Sequence, residues 1–148
     1  MRLAQILLGL AATVFAVDMR FFLDYNCAGS FLLCANLNPN VCCATSQSRI
    51  FHSVRFTAIP TNSNIECRAY ASENCFGRGD PIKSNGRTDV CLPSGNYSSG
   101  NFGIAFAKRE EIATDGSGEE CQKANLLVLE DGTKYNIATL DEDLLTGM

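Results

Sequence analysis

The chain has 148 residues, a formal net charge of −4 and eight cysteines. Its length suits a single domain with a modest core and is too short for two independent domains. The negative net charge argues against a basic surface for nucleic acid or anionic lipid. An even number of cysteines is typical of disulfide-bonded proteins from oxidising compartments, so the composition predicts a small extracellular protein.

The first residues have the layout of a secretory signal peptide. Arg2 is followed by an apolar stretch that ends in small residues, and Val14 and Ala16 occupy the −3 and −1 positions of a cleavage site. The stretch is shorter than the roughly 20 apolar residues that a membrane span needs. We therefore predict that residues 1–16 are removed and that residues 17–148 form a secreted protein with no membrane insertion.

Short apolar and alternating segments predict strands along the mature chain. The first two lie near residues 21–23 and 31–34, among many turn-forming residues. From residue 50 the apolar positions recur with a period of two, the pattern of a strand with one buried face. The alternating runs cover residues 54–58, 65–69, 89–92 and 102–106. The predicted core consists of the apolar residues Val54, Phe56, Ile65, Phe102, Ile104, Phe106, Leu127, Leu129 and Ile137.

Residues 125–138 predict a hairpin. Two apolar segments, 126–130 and 133–137, flank the dipeptide Asp131-Gly132. Asp-Gly is a favoured pair for a two-residue hairpin turn in which both residues have positive φ. The sequence therefore predicts a tight two-residue turn at this point.

The remaining segments complete the predicted organisation. A short helix is predicted near residues 108–113 and a long loop over 114–120, and the acidic tail 141–148 is predicted to fray. Six or seven short strands separated by frequent turn signals are typical of a β-sandwich or a small barrel. We predict an all-β fold, a small disulfide-rich antiparallel β-sandwich formed by the single domain 17–148.

The eight cysteines predict four disulfides within this domain. Their spacing contains no C-x2-C pair and the only histidine is His52, so a zinc site is not indicated and no metal or other cofactor is predicted. Cys42 and Cys43 are expected to bond to different partners, because a ring between adjacent residues is strained. The other pairings stay open. The predicted disulfide cysteines are Cys27, Cys34, Cys42, Cys43, Cys67, Cys75, Cys91 and Cys121.

No catalytic residue is predicted. His52 lies beside Ser53 in a strand pattern, which favours a histidine on a strand face over a catalytic base. A glycoside hydrolase needs only two carboxylates at a fixed separation, so it stays open as an alternative function. The acidic residues, however, cluster in loops and in the tail, as solvated faces do. These clusters contain Glu110, Glu111, Glu119, Glu120, Asp141, Glu142 and Asp143.

One loop carries two candidate site residues. Asn96-Tyr97-Ser98 is an N-glycosylation sequon, which predicts a glycan on Asn96 in a surface loop. Tyr97 is the candidate for an exposed aromatic face that binds sugar, in a protein that acts as a carbohydrate-binding module. This second hypothesis requires Tyr97 to lie on the surface.

The segment 70–77 resembles the folded hairpin of βγ-crystallin-like domains, in which a second aromatic and a glycine follow an aromatic residue at fixed spacing. Tyr70 and Gly77 match, and Cys75 occupies the place of the second aromatic. The resemblance implies a crystallin-like sandwich. Calcium is not implied, because Ser94 and Gly95 stand where the acidic or amide ligands of such domains would be.

The mature chain as a whole resembles the small cysteine-rich secreted proteins of filamentous fungi. The resemblance rests on Asn-Cys-Ala-Gly at 26–29, Asn-Pro-Asn-Val-Cys-Cys at 38–43, Ser-Val-Arg-Phe at 53–56 and the segment 68–77. It implies a non-enzymatic interaction protein, effector-like or associated with the cell wall. Its partner would be an extracellular protein or polysaccharide.

Overall fold

The computed structural model describes residues 16–45, 50–104 and 121–137. The predicted signal peptide up to residue 15, the predicted helix and loop over 108–120 and the tail 141–148 lie outside these residues. Among the described residues there are eleven strands and no helix, so no helix there could cross a membrane. The prediction of an all-β fold is confirmed.

The strands are short, with two to seven residues each. They are β1 Val17–Phe22, β2 Phe31–Leu37, β3 Cys43–Ala44, β4 Ser53–Thr57, β5 Ile65–Tyr70, β6 Asp80–Lys83, β7 Val90–Leu92, β8 Ser99–Ile104, β9 Gln122–Lys123, β10 Leu126–Val128 and β11 Lys134–Asn136. The alternation of β1, β2 and β5 places every second side chain in the interior, as a strand with one buried face requires.

Two sheets form the sandwich. The six-stranded sheet has the order β11-β10-β2-β1-β4-β7, and all its pairs are antiparallel. The five-stranded sheet has the order β6-β5-β8-β3-β9, and its edge pair β3–β9 is parallel. Because β3 and β9 are only two residues long, this parallel pair is a small exception to the predicted antiparallel arrangement.

The core lies between the inner faces of the two sheets. Its largest side chains come from β1, β4 and β8, including Phe21, Phe56 and Phe102. The sheets approach closely at Gly100 of β8, where an added Cβ would lie 2.7 Å from the sulfur of Met19 on β1. Glycine at this position therefore sets how near the two sheets come.

The predicted core is largely confirmed, with one error and one omission. Six of its nine residues are buried and Leu129 is partly buried, whereas Ile104 is 41% exposed at the end of β8. Phe106 lies outside the described residues. The predicted core omits β1, whose residues Val17, Met19 and Phe21 are fully buried.

The hairpin of β10 and β11 is confirmed, but its turn differs from the prediction. Val128 pairs with Lys134, and the N–H of Gly132 donates to the carbonyl of Leu129 at 2.8 Å. Gly132 has a φ of 89°, while Asp131 does not have positive φ. The connection is therefore a longer loop in which only the glycine adopts the left-handed conformation, as in a turn followed by a bulge.

Three disulfides connect the elements. Cys34–Cys43 crosses the core and joins β2 of one sheet to β3 of the other. The second, Cys27–Cys91, attaches the β1–β2 loop to β7, and the third, Cys42–Cys75, attaches β3 to the β5–β6 loop. Cys42 and Cys43 thus have different partners, as expected.

The prediction of a fourth disulfide is wrong for this structure, since Cys67 and Cys121 are free. Cys67 lies on β5 and Cys121 precedes β9, with β8 and β3 between them. At about 4.8 Å between neighbouring strands, their backbones are roughly 14 Å apart. A disulfide tolerates a Cα separation of at most about 7 Å, so these two cysteines cannot bond in this fold.

Candidate functional site

Tyr97 lies in the core, and this finding removes its predicted role in sugar binding. Its side chain is 3% exposed, and its hydroxyl donates to the Asp80 carboxylate at 2.7 Å. Its backbone forms a bridge with Phe51 that supports the start of β4. Burial and the hydrogen bond to Asp80 raise the pKa of Tyr97 well above its ordinary value. Tyr97 therefore joins the ends of both sheets, and its ring offers no face to a ligand.

Asn96 is exposed in the β7–β8 loop, next to the buried Tyr97. A sequon in this position is accessible to modification, and glycosylation of Asn96 stays a prediction. The adjacent Gly95 contacts His52 through both of its backbone polar groups. The N–H of Gly95 donates to the His52 carbonyl at 2.9 Å, and the Gly95 carbonyl oxygen lies 3.3 Å from Nδ1 of His52. Asn96 is thus one residue away from the glycine that contacts the histidine.

One surface feature is an aromatic pair that the sequence did not indicate. Tyr25, in the β1–β2 loop, is 54% exposed and stacks on His52 with ring centroids 4.5 Å apart and an angle of 16° between the planes. The imidazole is half-buried and covers one face of the phenol ring. We call the surface formed by Tyr25, His52, Gly95 and Asn96 the Tyr25 surface.

Hydrogen bonds fix the segments that form the Tyr25 surface. The N–H of Asn26 donates to the carbonyl of Pro93 at 2.8 Å, and the N–H of His52 donates to the carbonyl of Phe22 at 3.0 Å. Ser53 Oγ donates to the carbonyl of Asp24 at 2.6 Å. Together with the Cys27–Cys91 disulfide, these bonds hold the β1–β2 loop, the start of β4 and the β7–β8 loop in one arrangement.

The contacts of Ser53 exclude nucleophilic catalysis by Ser53 and His52. Ser53 is fully buried, and besides donating to Asp24 its hydroxyl accepts a hydrogen bond from the N–H of Cys27 at 2.9 Å. Both interactions of this hydroxyl are with backbone groups of the loop. His52 contacts Gly95 and Tyr25 instead. The structure gives the serine a structural role.

The described carboxylates are mostly occupied by local partners. Asp89 pairs with Arg55, and Glu66 accepts two hydrogen bonds from Arg68. Asp80 accepts from Tyr97. The remaining acceptors with local partners are Asp18, which accepts from the N–H of Asn36, and Asp131, which accepts from the N–H of Thr133. Such interactions hold these carboxylates in place.

Neither free cysteine belongs to a metal-binding group. Within residues 16–45, 50–104 and 121–137, no three side chains of the metal-ligating types come together. Cys67 is fully buried, and burial together with the nearby Glu66 raises the pKa of its thiol to about 12. Because the thiolate is the reactive form, Cys67 is an inert core residue.

The loop that resembles the crystallin hairpin is held by its own polar groups. Ser72 Oγ accepts from the N–H of Phe76 at 2.9 Å and donates to its carbonyl at 2.7 Å. Cys75 and Gly77 have positive φ values of 56° and 87°. Tyr70 donates to the amide oxygen of Asn101 at 3.2 Å. These contacts and backbone conformations hold the loop in its shape. The resemblance to the crystallin family stays a prediction.

Sequence reasoning missed the Tyr25 surface because its residues lie far apart along the chain. The available local signals were a tyrosine placed directly after an apolar strand and a histidine just before another strand. Neither signal gives the pairing, which depends on the strand order β1-β4 and the disulfide to β7.

Comparison with known proteins places the chain in a family. The family model ARB_05566_N, described as an N-terminal domain, matches residues 18–125. This span includes all eight cysteines and the Tyr25 surface. A search of curated proteins and a search of solved structures each found no match. Since the matched span covers most of the sequence, the chain belongs to the ARB_05566_N family of N-terminal domains.

Proposed function

We propose that this chain is a secreted, non-enzymatic interaction protein associated with the cell wall, and that it binds an extracellular polysaccharide through the Tyr25 surface. The observation that carries the proposal is the exposed Tyr25 ring, stacked on His52 in a fixed arrangement of three segments. An aromatic side chain held in this way is a suitable anchor for a partner, because little conformational freedom is lost on binding.

The polysaccharide is favoured by the shape of the site. The imidazole stacks on one face of the phenol ring, while more than half of the tyrosine is exposed to solvent, so a flat aromatic surface is available to a ligand. A sugar ring offers a flat row of C–H groups that packs against such a face.

A wholly protein-directed, effector-like activity is the second candidate. Exposed tyrosines on fixed loops also anchor protein partners. The resemblance to small cysteine-rich fungal proteins supports this candidate, while the flat stacked ring favours the first one. Hydrolysis by paired carboxylates has the least support, because the described acids mostly have local partners.

Secretion is supported by two features. Strand β1 begins at Val17, the residue that directly follows the predicted cleavage site, and three disulfides form in the domain. Such bonds persist in oxidising compartments. Intact mass measurement of the protein collected from the medium tests both secretion and Asn96 glycosylation. We expect a chain that starts at Val17 and carries a glycan that is lost in Asn96→Gln; a chain that still starts at Met1 would contradict the proposal.

Binding is tested with the purified secreted protein on immobilised cell-wall polysaccharides, followed by titration of each one that binds. We expect Tyr25→Ala to weaken binding at least tenfold, since truncation of an aromatic anchor removes most of its contact. Tyr135→Ala is the matched control, because Tyr135 is 48% exposed on the β10–β11 hairpin and lies outside the Tyr25 surface.

The outcomes separate the candidates. Binding to a polysaccharide that Tyr25→Ala weakens and Tyr135→Ala leaves within twofold supports the proposal. Equal binding by the wild type and Tyr25→Ala overturns it. If no polysaccharide binds and a protein partner binds in a way that Tyr25→Ala weakens, the polysaccharide proposal is overturned and the effector-like candidate is supported.

A further inference from the structure

Three cysteines come together on the outer face of the five-stranded sheet. The parallel pair of β3 and β9 aligns Cys43 with Gln122, so the preceding residues, Cys42 and Cys121, stand side by side. The N–H of Gln122 donates to the carbonyl of Cys42 at 2.9 Å, which supports this alignment. Directly neighbouring residues of parallel strands direct their side chains to the same face of the sheet. The free Cys121 thiol therefore lies beside the Cys42–Cys75 disulfide.

We propose that Cys121 is an internal nucleophile that exchanges with the Cys42–Cys75 disulfide, so that the protein has two disulfide isomers, one with Cys42–Cys75 and the other with Cys42–Cys121. In the exchange, the Cys121 thiol gives its proton to water and its sulfur attacks the sulfur of Cys42. The bond between Cys42 and Cys75 breaks, and the released Cys75 thiolate takes up a proton. Cys121 is oxidised and Cys75 is reduced, so no external oxidant or reductant is required.

The strand order gives this exchange a favourable geometry. Thiol–disulfide exchange needs the incoming sulfur to approach opposite the sulfur that leaves. Cys75 lies on the β8 side of Cys42, because its N–H donates to Ser99 Oγ of β8 at 2.9 Å. Cys121 lies on the β9 side. The backbone segments that carry the attacking and leaving sulfurs thus lie on opposite sides of Cys42.

The second isomer fits the backbone without a change in register. Neighbouring strands are about 4.8 Å apart, and a disulfide accepts Cα separations of about 4.4 to 6.8 Å. A bond between Cys42 and Cys121 therefore connects β3 and β9 where they already pair. It also releases Cys75, whose φ of 56° is unfavourable for a residue with a Cβ.

A buried amide next to these cysteines supports the proposal independently. Asn101 of β8 stands opposite Cys42, one residue beyond the pair Cys43–Gly100. Asn101 is fully buried, and its Nδ2 has no hydrogen-bond partner. A buried donor without a partner is energetically unfavourable and requires an explanation. A thiolate formed at Cys75 during the exchange is an acceptor that this amide can stabilise.

The thiol of Cys121 is the only free one in the described part of the chain that is partly accessible. Burial raises its pKa, and Lys123 opposes this rise. Exchange is therefore slow at neutral pH, because the thiolate is the attacking form. Both isomers have the same number of disulfides, so a mass measurement of the whole protein does not distinguish them.

Tryptic peptides distinguish the isomers. Cys75 and Cys121 fall in separate peptides, 69–78 and 110–123, each with one cysteine, and Cys42 falls in peptide 21–49. The purified full-length secreted protein is equilibrated at pH 8, quenched with acid, alkylated with N-ethylmaleimide in denaturant and digested without reduction. The measured quantities are the alkylated fraction of each peptide and the peptide that stays linked to 21–49.

We expect alkylated Cys75 and disulfide-linked Cys121 in equal amounts, both increasing during equilibration. Cys121→Ser should reduce alkylation of Cys75 to background, whereas Cys67→Ala, which removes a thiol on the opposite face, should leave the ratio unchanged. Alkylation of Cys121 with no alkylation of Cys75, a bond from Cys121 to Cys67 or to a second chain, or alkylation of Cys75 in Cys121→Ser would each overturn the proposal.

Discussion

The two sheets of the sandwich fill their inner faces with different residues. The six-stranded sheet contributes large apolar side chains, including Met19, Phe21 and Phe56, from strands of five or six residues. The inner face of the five-stranded sheet includes smaller residues, Ala69 and Gly100, and its β3 and β9 have only two residues each. The disulfides of Cys42 and Cys43 connect this end of the five-stranded sheet to the rest of the domain.

This difference shows two ways to stabilise a strand. A strand of five or six residues buries enough apolar surface for its alternating pattern to fix its register. A strand of two residues cannot, so β3 depends on Cys42 and Cys43, which connect it to the β5–β6 loop and to β2. Different interactions therefore stabilise the strands of the two sheets, and substitutions can test each of them.

The largest expected effect follows removal of the Cys27–Cys91 disulfide, which anchors a loop to the six-stranded sheet. This bond closes the longest loop, with a sequence separation of 64 residues. Loop-closure entropy predicts a loss of about 4 kcal/mol in the free energy of unfolding for the double substitution Cys27→Ala and Cys91→Ala. Urea denaturation under non-reducing conditions measures it.

The comparison variant for this prediction is the double substitution Cys34→Ala and Cys43→Ala. Its disulfide has a separation of only 9 residues, so the same argument predicts a smaller loss, about 3 kcal/mol. If the Cys34–Cys43 bond proves the more important one, packing of the sulfurs between the sheets outweighs loop closure, and the five-stranded sheet depends on that bond more than we infer.

An intermediate effect is expected where the sheets approach most closely. In Gly100→Ala, the new Cβ would lie 2.7 Å from the Met19 sulfur and 2.9 Å from the carbonyl oxygen of Arg68. Overpacking of this kind costs roughly 1–3 kcal/mol. Thermal or urea denaturation measures the change.

A double-mutant cycle with Met19→Ala separates the two contacts of the Gly100→Ala variant. When Met19 is shortened, only the contact with the rigid carbonyl of Arg68 remains, so Gly100→Ala should cost less in that background. An unchanged cost would mean that Met19 moves aside freely and that the spacing of the sheets is not set at this point.

The smallest effect is expected at the junction of the two sheets, in Tyr97→Phe. The substitution removes the hydrogen bond to Asp80 and should lower the free energy of unfolding by about 1 kcal/mol. The loss stays small because the Asp80 carboxylate is exposed and water can solvate it. Folding raises the pKa of Tyr97 above the value of about 10 that an unfolded tyrosine has. The stabilisation that the Tyr97 hydroxyl contributes is therefore complete below pH 10 and is lost as the pH rises further.

Urea denaturation at pH 7 and at pH 10.5 checks the Tyr97 prediction. The difference in unfolding free energy between wild type and Tyr97→Phe should shrink at the higher pH. Tyr25→Phe, which removes a hydroxyl from an exposed ring, is the control and should change stability by less than about 0.5 kcal/mol at pH 7. A constant difference across the pH range would show that the hydroxyl does not titrate with folding.

Local sequence patterns predicted the longer strands because their information is contained in a few neighbouring residues. The alternation around Val54 and Phe56 and the hairpin over residues 125–138 are examples of such local patterns. The alternation fails at Ile104, where β8 ends and the residue becomes exposed. Strands β3 and β9 have too few residues for any pattern, so only the tertiary structure shows them.

The candidate site was predictable only in part. The sequon at Asn96 indicated an exposed position, which the structure has. The loop position also predicts an exposed Tyr97, one residue later, yet its side chain points the other way and is buried, with its hydroxyl donating to Asp80. The pairing of Tyr25 with His52 joins residues 27 positions apart, and no local rule indicates such a contact.

By itself, the sequence determined the all-β class, the position of the first turn-rich segments and the requirement that Cys42 and Cys43 have different partners. These properties follow from period-two alternation, turn chemistry and the strain of a ring between adjacent cysteines. Only the tertiary structure decided which cysteines bond, which tyrosine is exposed and which thiol lies beside a disulfide. The physical reason is that these contacts depend on strand order and register, which are set by packing between residues distant in the chain.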